Sequence, residues 1–121
     1  MANTSSGPGD VLLRKDEYVT MRISTKDRMM IEKWTGYVPS ATYRQIMDES
    51  IQHAIAHDAR RWFNDLREMA AILQPDELWT MEDWFPRLAR TQVGRMAFLM
   101  SKDYFNQMSV DRIMNVGTVV M

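Results

Sequence analysis

The stretch at residues 79–101, WTMEDWFPRLARTQVGRMAFLMS, combines a helical pattern and a strand-like pattern that together indicate the fold class. Its first part repeats apolar residues at helical spacing, and Gly94 ends that pattern. Pro86 interrupts the helical part and cannot donate to the carbonyl of Glu82, so we expect a kink or a restart there. The second part, Arg95–Met100, is an almost unbroken apolar run, typical of a strand whose two faces are both covered in a parallel sheet.

Strand and helix patterns also alternate upstream of this stretch. Tyr18–Ser24 and Met29–Trp34 are rich in apolar and β-branched residues, and the short polar segment between them predicts an antiparallel hairpin. A helical pattern covers residues 41–57, with Ser40 as the expected N-cap. RRWFN at 60–64 predicts the next strand, so this part of the chain has the form of a parallel strand–helix–strand crossover.

The C-terminal part is predicted to hold two short helical pieces and a last strand. Ser101 is the expected cap of the first piece, Ser109 restarts the helix, and VGTVVM at 116–121 has the composition of a strand. The predicted fold class is therefore α/β, with a single mainly parallel sheet of four or five strands and an antiparallel N-terminal strand. Residues 1–14 are expected to form a disordered tail, and residues 15–121 a single domain.

The amino-acid composition argues against several classes of function. The chain has 121 residues, 15 basic and 16 acidic, for a net charge of −1, and this balance argues against nucleic acid as a partner. The absence of cysteine excludes disulfides and cysteine catalysis, and it suits a cytoplasmic location. No apolar run approaches the roughly 20 residues needed to span a bilayer.

The element order and four segments together resemble the small bacterial STAS-like family, whose members are described as STAS or CRAL-TRIO-like. The segments are WTGY at 34–37, EDWFPR at 82–87, RMAFLMS at 95–101 and FNQMSVDRIMN at 105–115. The resemblance implies a sheet with helices mostly on one side and a function in binding protein partners, as in the anti-sigma-factor antagonists. Those proteins are switched by a phosphorylated hydroxyl in the loop after the central strand, whereas NDLRE at 64–68 has none.

A first candidate site follows the strand at 60–64. Asn64, Asp65 and Arg67 come where the carboxyl end of that strand is expected, and in open α/β sheets these ends form the ligand crevice. A carboxylate beside a guanidinium there could bind a polar ligand or the charges of a partner. The alternative is an ion pair between Asp65 and Arg67 that only caps the loop.

A second candidate site lies on the helix that follows. Trp79 and Trp84 fall off its main apolar face, and Arg87 adds a positive charge beside them. Exposed tryptophan favours protein interfaces, so these residues are candidates for partner binding. Burial against a neighbouring helix is the equally open alternative.

The residue pattern gives little support for a metal site or for a catalytic site. His53 and His57 are four apart on one helix and could share a metal ion, but no third ligand stands at a matching spacing, so no metal site is predicted. The chain has no Gly-rich phosphate loop and no nucleophile elbow. We therefore predict no catalytic residues and no cofactor.

These observations predict a non-enzymatic regulatory or protein-interaction domain. Its partner is expected to be another protein or a second copy of the chain in a homodimer. Nucleic acid and a membrane span are not expected. The alternative is a module that binds a small ligand or a lipid in the crevice at the carboxyl ends of the strands.

Overall fold

A computed structural model of the chain describes residues 9–100 and 104–120, with side chains described for 9–100 and 106–114. It confirms the predicted α/β class. The elements, in chain order, are β1 (Asp10–Lys15), β2 (Val19–Ser24), β3 (Met29–Gly36), α1 (Ser40–Ala56), β4 (Arg61–Met69), α2 (Gln74–Trp79), a π-helical turn (Thr80–Trp84), α3 (Phe85–Ala89), β5 (Arg95–Leu99) and α4 (Tyr104–Val120).

The strands form one five-stranded sheet in the order β1-β2-β3-β4-β5. The pairs β1–β2 and β2–β3 are antiparallel and are joined by short turns, whereas β3–β4 and β4–β5 are parallel and are joined through helices. The predicted hairpin and crossover are therefore confirmed. The strands β4 and β5 run side by side in the same direction, with Trp62 opposite Met96.

The helices cover one face of this sheet, which we call the covered face. Alternate residues of β2 and β3, such as Met21, Ile23 and Met30, are fully buried there at 0% exposure. One cavity is lined jointly by covered-face residues and by residues of α1, the π-helical turn and α4. All of these helices therefore pack on the same side, and we call the other side the open face.

The helix after β4 is interrupted where the sequence predicts it. A π-helical turn, Thr80–Trp84, ends α2, and α3 begins at Phe85 with Pro86 in its first turn. Because Pro86 has no N–H, the regular hydrogen-bond ladder cannot continue through this point. The turn places the Trp84 side chain inside the core, where its Nε1 donates to the carbonyl of Met47 in α1 over 2.8 Å.

The prediction that both faces of the strand at 95–100 are covered is wrong. Met96 and Phe98 face the helices and are half-buried, whereas Arg95, Ala97 and Leu99 are exposed on the open face. β5 is the edge strand of a sheet with helices on one side only. Its apolar composition therefore reflects an uncovered apolar surface.

The predicted last strand at 116–121 is also wrong. Residues 116–120 belong to α4, which runs without a break through Ser109, and Met121 lies outside the described residues. The Ser109 hydroxyl donates to the carbonyl of Ile72 over 3.2 Å and so fastens the helix to the segment after β4. The composition of residues 116–120 favours a strand, but these residues continue the helix that begins at Tyr104, and propensity alone is a weak predictor.

Three further boundaries differ from the predictions. Asp10–Lys15 forms β1, so the tail predicted for residues 1–14 is wrong over residues 10–14, while residues 1–8 lie outside the described part. The strand predicted at 60–64 continues to Met69. Ser40 is the first residue of α1 rather than its N-cap, and its hydroxyl donates to Asp76 Oδ1 over 2.7 Å.

Candidate functional site

The structure does not bring the sequence-predicted site residues together. Asn64 and Asp65 are neighbours in β4, so their side chains lie on opposite faces of the sheet. Residues 64–68 are part of that strand, which corrects the loop assigned to them. A single crevice built from Asn64, Asp65 and Arg67 is therefore wrong.

Asp65 and Arg67 form the ion pair that the alternative interpretation described. Arg67 Nη2 lies 2.9 Å from Asp65 Oδ2, and Arg67 Nε lies 3.1 Å from Oδ1. The side-chain hydrogen bond from Arg67 lowers the pKa of Asp65, and the charge of Lys33 acts in the same direction. With Arg67 largely exposed, this pair contributes little to stability.

The two tryptophans have different surroundings. Trp84 is 1% exposed and makes edge-to-face contacts with Trp62 and Phe85, so its interpretation as a partner-binding residue is wrong. Trp79 is half-buried, with two guanidinium groups near its ring: Arg44 at 5.3 Å and Arg87 at 5.7 Å from the centroid. Trp79 and Arg87 thus form a compact cation–π cluster on the helical side of the domain.

His53 and His57 lie near each other on α1, with ring centroids 6.3 Å apart. His53 Nε2 lies 3.4 Å from Glu49 Oε2. In residues 9–100 and 104–120, no group of three or more His, Cys, Asp or Glu side chains is arranged to hold a metal ion.

On the open face, register partners on the five strands form a row that crosses the whole sheet and is apolar except at Arg22. We call it the apolar row. One residue of each strand contributes to it, and the row reads Leu12, Arg22, Ile31, Phe63 and Ala97 from β1 to β5. Leu99 extends the apolar surface at the β5 edge and is 39% exposed. Arg22 stands in this row with a buried Nε that has no hydrogen-bond partner among the described residues.

Basic side chains outnumber carboxylates on this face. The apolar row and the two rows beside it hold five cations and two carboxylates, namely Lys15, Arg22, Lys33, Arg61 and Arg95 against Asp10 and Asp65. Asp65 is already neutralised by Arg67. Arg61 and Arg95 are exposed register partners on adjacent parallel strands, so two like charges stand together. The open face is therefore an apolar surface with excess positive charge.

On the covered face, a cavity of about 60 Å³ lies between the sheet and α4. Its wall is mostly apolar, but Glu32, Trp62 and Asn64 contribute polar atoms. All three residues are at most 5% exposed. Asn64 Nδ2 has no hydrogen-bond partner among the described residues, although buried donors are normally paired. Trp62 Nε1 makes no well-aligned hydrogen bond, but it faces the Glu32 carboxyl group and favours its charged form. Tyr43 and Thr80 also reach this cavity, and their hydroxyls satisfy each other at 2.7 Å.

Glu32 is a buried carboxyl group that is held in its uncharged form below neutral pH. Burial is the main cause that raises its pKa to about 7, although Ser50, Trp62 and Trp34 partly oppose that rise. The Ser50 hydroxyl contacts both Glu32 Oε2 and the carbonyl of Ile46. A hydroxyl has one proton, so when Ser50 donates to the carbonyl, Glu32 must be protonated to donate to Ser50.

Sequence reasoning missed Glu32, Trp62 and Arg22 as candidates. The signal for Glu32 was present, because strand alternation places it on the same face as Met30 and Trp34, which are core residues. A carboxyl between two core positions predicts a buried, perturbed group. Arg22 is a candidate because it lies near the centre of the open face, and this position depends on which strands flank β2. A single sequence does not give the order of the strands.

Comparisons of the chain with protein-family models, with curated proteins and with solved structures found no match. The resemblance to STAS-like proteins therefore stays a prediction. In the part of the chain that the structure describes, no helix is both long enough and apolar enough to cross a membrane.

Proposed function

We propose that this chain is a non-enzymatic interaction domain that binds an acidic, amphipathic segment of another protein on the open face of its sheet. The observation that carries the proposal is the combination on that face of a row that is apolar except at Arg22 and of excess positive charge around it. Apolar surface that is contiguous and rimmed by charge is typical of interaction sites. The proposed class of function is the one predicted from the sequence. The proposed binding surface is the open face, whereas the sequence predicted residues 64–67 and the helix with Trp79 and Trp84.

The charge of the open face argues for a partner of opposite sign. Among the described residues, no ion pair joins Lys15, Arg22, Arg61 or Arg95 to a carboxylate, whereas Arg67, Arg87 and Arg112 are paired. Lys33 acts electrostatically on Asp65, which Arg67 already pairs. Arg22 stands at the centre of the row, so a carboxylate that docks over it would form a charge-assisted hydrogen bond with its guanidinium group. An acidic side chain over the centre of the row, with apolar neighbours against Ile31 and Phe63, fits this arrangement.

A second copy of the chain fits the open face less well. Two identical faces would bring two surfaces with excess positive charge together, and like charges across an interface oppose association. Excess positive charge on this face therefore favours a different protein over the predicted homodimer.

Affinity for a designed peptide tests the proposal. The probe is a short amphipathic helix with leucine on one face and glutamate on its flanks, and its twin carries lysine in place of glutamate. We expect the acidic peptide to bind and the basic twin to bind at least about tenfold more weakly, with the difference falling at high salt. Equal binding of both peptides, or binding only to anionic lipid vesicles, would contradict the proposal.

Two pairs of matched variants locate the binding surface. Arg22→Glu reverses a charge on the open face, and Lys26→Glu makes the same change of sign in the exposed turn between β2 and β3. Leu99→Ser removes an apolar group from the open face, and Leu78→Ser removes one that is 46% exposed on α2. We expect the first member of each pair to weaken binding of the acidic peptide, while the second member leaves it unchanged.

A further inference from the structure

The cavity under α4 combines apolar walls with a buried amide that has no partner among the described residues. We infer that it is a binding site for a small uncharged molecule with a compact apolar body and one carbonyl or hydroxyl oxygen. This inference is independent of the open face, because the cavity lies on the opposite side of the sheet. The inferred site lies between the sheet and α4, whereas the sequence predicted a ligand crevice at Asp65 and Arg67.

The first support is an unsatisfied donor on β4. Trp62 and Asn64 are two positions apart on one strand, so both side chains face the cavity from the same side of the sheet. Trp62 Nε1 acts on the Glu32 carboxyl group, whereas the buried Asn64 Nδ2 has no partner in residues 9–100 and 106–114. Leaving such a donor unpaired costs about 1–3 kcal/mol, and a ligand oxygen in the cavity would recover that cost.

The second support is the composition and size of the wall. Apart from the polar groups, the cavity is bounded by Phe98 of β5 and by Ile113 and Met114 of α4. A volume of about 60 Å³ has room for a few water molecules or for one very small organic molecule. The flexible thioether of Met114 allows modest adjustment to shape.

The third support concerns the charge of the ligand. Glu32 is the register partner of Asn64 across β3 and β4, so its carboxyl group stands beside the unpaired amide. No cation lines the cavity among the described residues, so an anionic ligand would lose its hydration without a charge partner, and it would also repel Glu32 once that group ionises. An uncharged ligand avoids both penalties and still supplies an acceptor for Asn64 Nδ2.

The test uses the full chain with butanone as the polar probe and xenon as the apolar one. Xenon occupies apolar cavities and accepts no hydrogen bond, so the two probes separate cavity filling from the contribution of the donor. We expect butanone to shift the NMR signals of the Ile113 and Met114 methyl groups. Asn64→Leu should weaken butanone binding by about tenfold and leave xenon binding intact.

Two outcomes would overturn the inference. Butanone that leaves both methyl signals unchanged near its solubility limit would show that the cavity holds water only. Equal butanone affinity in the parent and in Asn64→Leu would show that the amide recognises nothing. If Asn64→Leu fails to fold, nuclear Overhauser contacts between butanone and Ile113 in the parent protein still show whether butanone enters the cavity.

Discussion

Replacing Glu32 with glutamine should flatten the dependence of folding stability on pH. The folded-state pKa of Glu32 is about 7, against an ordinary value of 4.5, because the carboxyl group is buried. The folded protein therefore binds the proton more tightly than the unfolded chain does. The stability from this group is fully present below about pH 4.5, falls as pH rises, and is lost above about pH 7.

The expected size of the effect follows from the same two values. The difference between 4.5 and about 7 corresponds to roughly 3 kcal/mol of unfolding free energy. This is a large share of the stability of a small domain. The charge of the nearby Glu49 contributes to raising the pKa of Glu32, and glutamine at position 32 keeps the side-chain size while remaining neutral at every pH.

Urea unfolding at a series of pH values from about 5 to about 8 measures the effect. The parent should lose stability across this range, whereas Glu32→Gln should be nearly flat and should be the more stable of the two at the alkaline end. Glu68→Gln is the matched control, since it removes an exposed carboxylate from the neighbouring strand and should keep the parent's slope. A parent protein whose stability is constant or rises over this range would refute the reasoning.

Four further substitutions test how the domain is held together. Arg112→Ala should destabilise the fold by about 2 kcal/mol in urea unfolding, because it leaves the carboxylate of Glu77, whose side chain is 3% exposed, without its two hydrogen bonds of 2.9 and 2.8 Å. Arg67→Ala, which breaks a more exposed pair, should cost less than about 1 kcal/mol in the same assay. Trp84→Phe should cost about 1–3 kcal/mol, since the buried carbonyl it serves in α1 loses a donor, and near-ultraviolet circular dichroism should show that the core is otherwise retained. Asn64→Leu should leave the thermal midpoint unchanged or raise it, because it removes an unpaired buried amide, and a large drop would show that this amide is satisfied in solution.

Local patterns were sufficient to predict much of the fold. The hairpin of β2 and β3 has a short polar turn between two strand-like runs, and α1 has a clear apolar stripe, so each could be read from its own residues. The break before Pro86 follows from the chemistry of one residue. The parallel pairing of β4 and β5 follows from the helices between them.

The errors arose where long-range packing overrides local composition. The apolar run at 95–99 is compatible with two structures, a strand covered on both faces and an edge strand with one uncovered apolar face. Its composition alone does not distinguish them. The end of α4 has a strand-like composition but continues a helix that is fastened by Ser109 and Arg112. Asn64 and Asp65 were grouped because they are adjacent in sequence, although adjacent residues of a strand face opposite ways.

Binding on the open face is tested by mapping which amide signals move when the acidic amphipathic peptide is titrated into the full chain. We expect the largest shifts in β2, β3 and β4, around Arg22, Ile31 and Phe63, while signals of α1 and α2 stay in place. Shifts concentrated on the helical side, around Trp79 and Arg87, would contradict this expectation and would place the binding surface on the cation–π cluster.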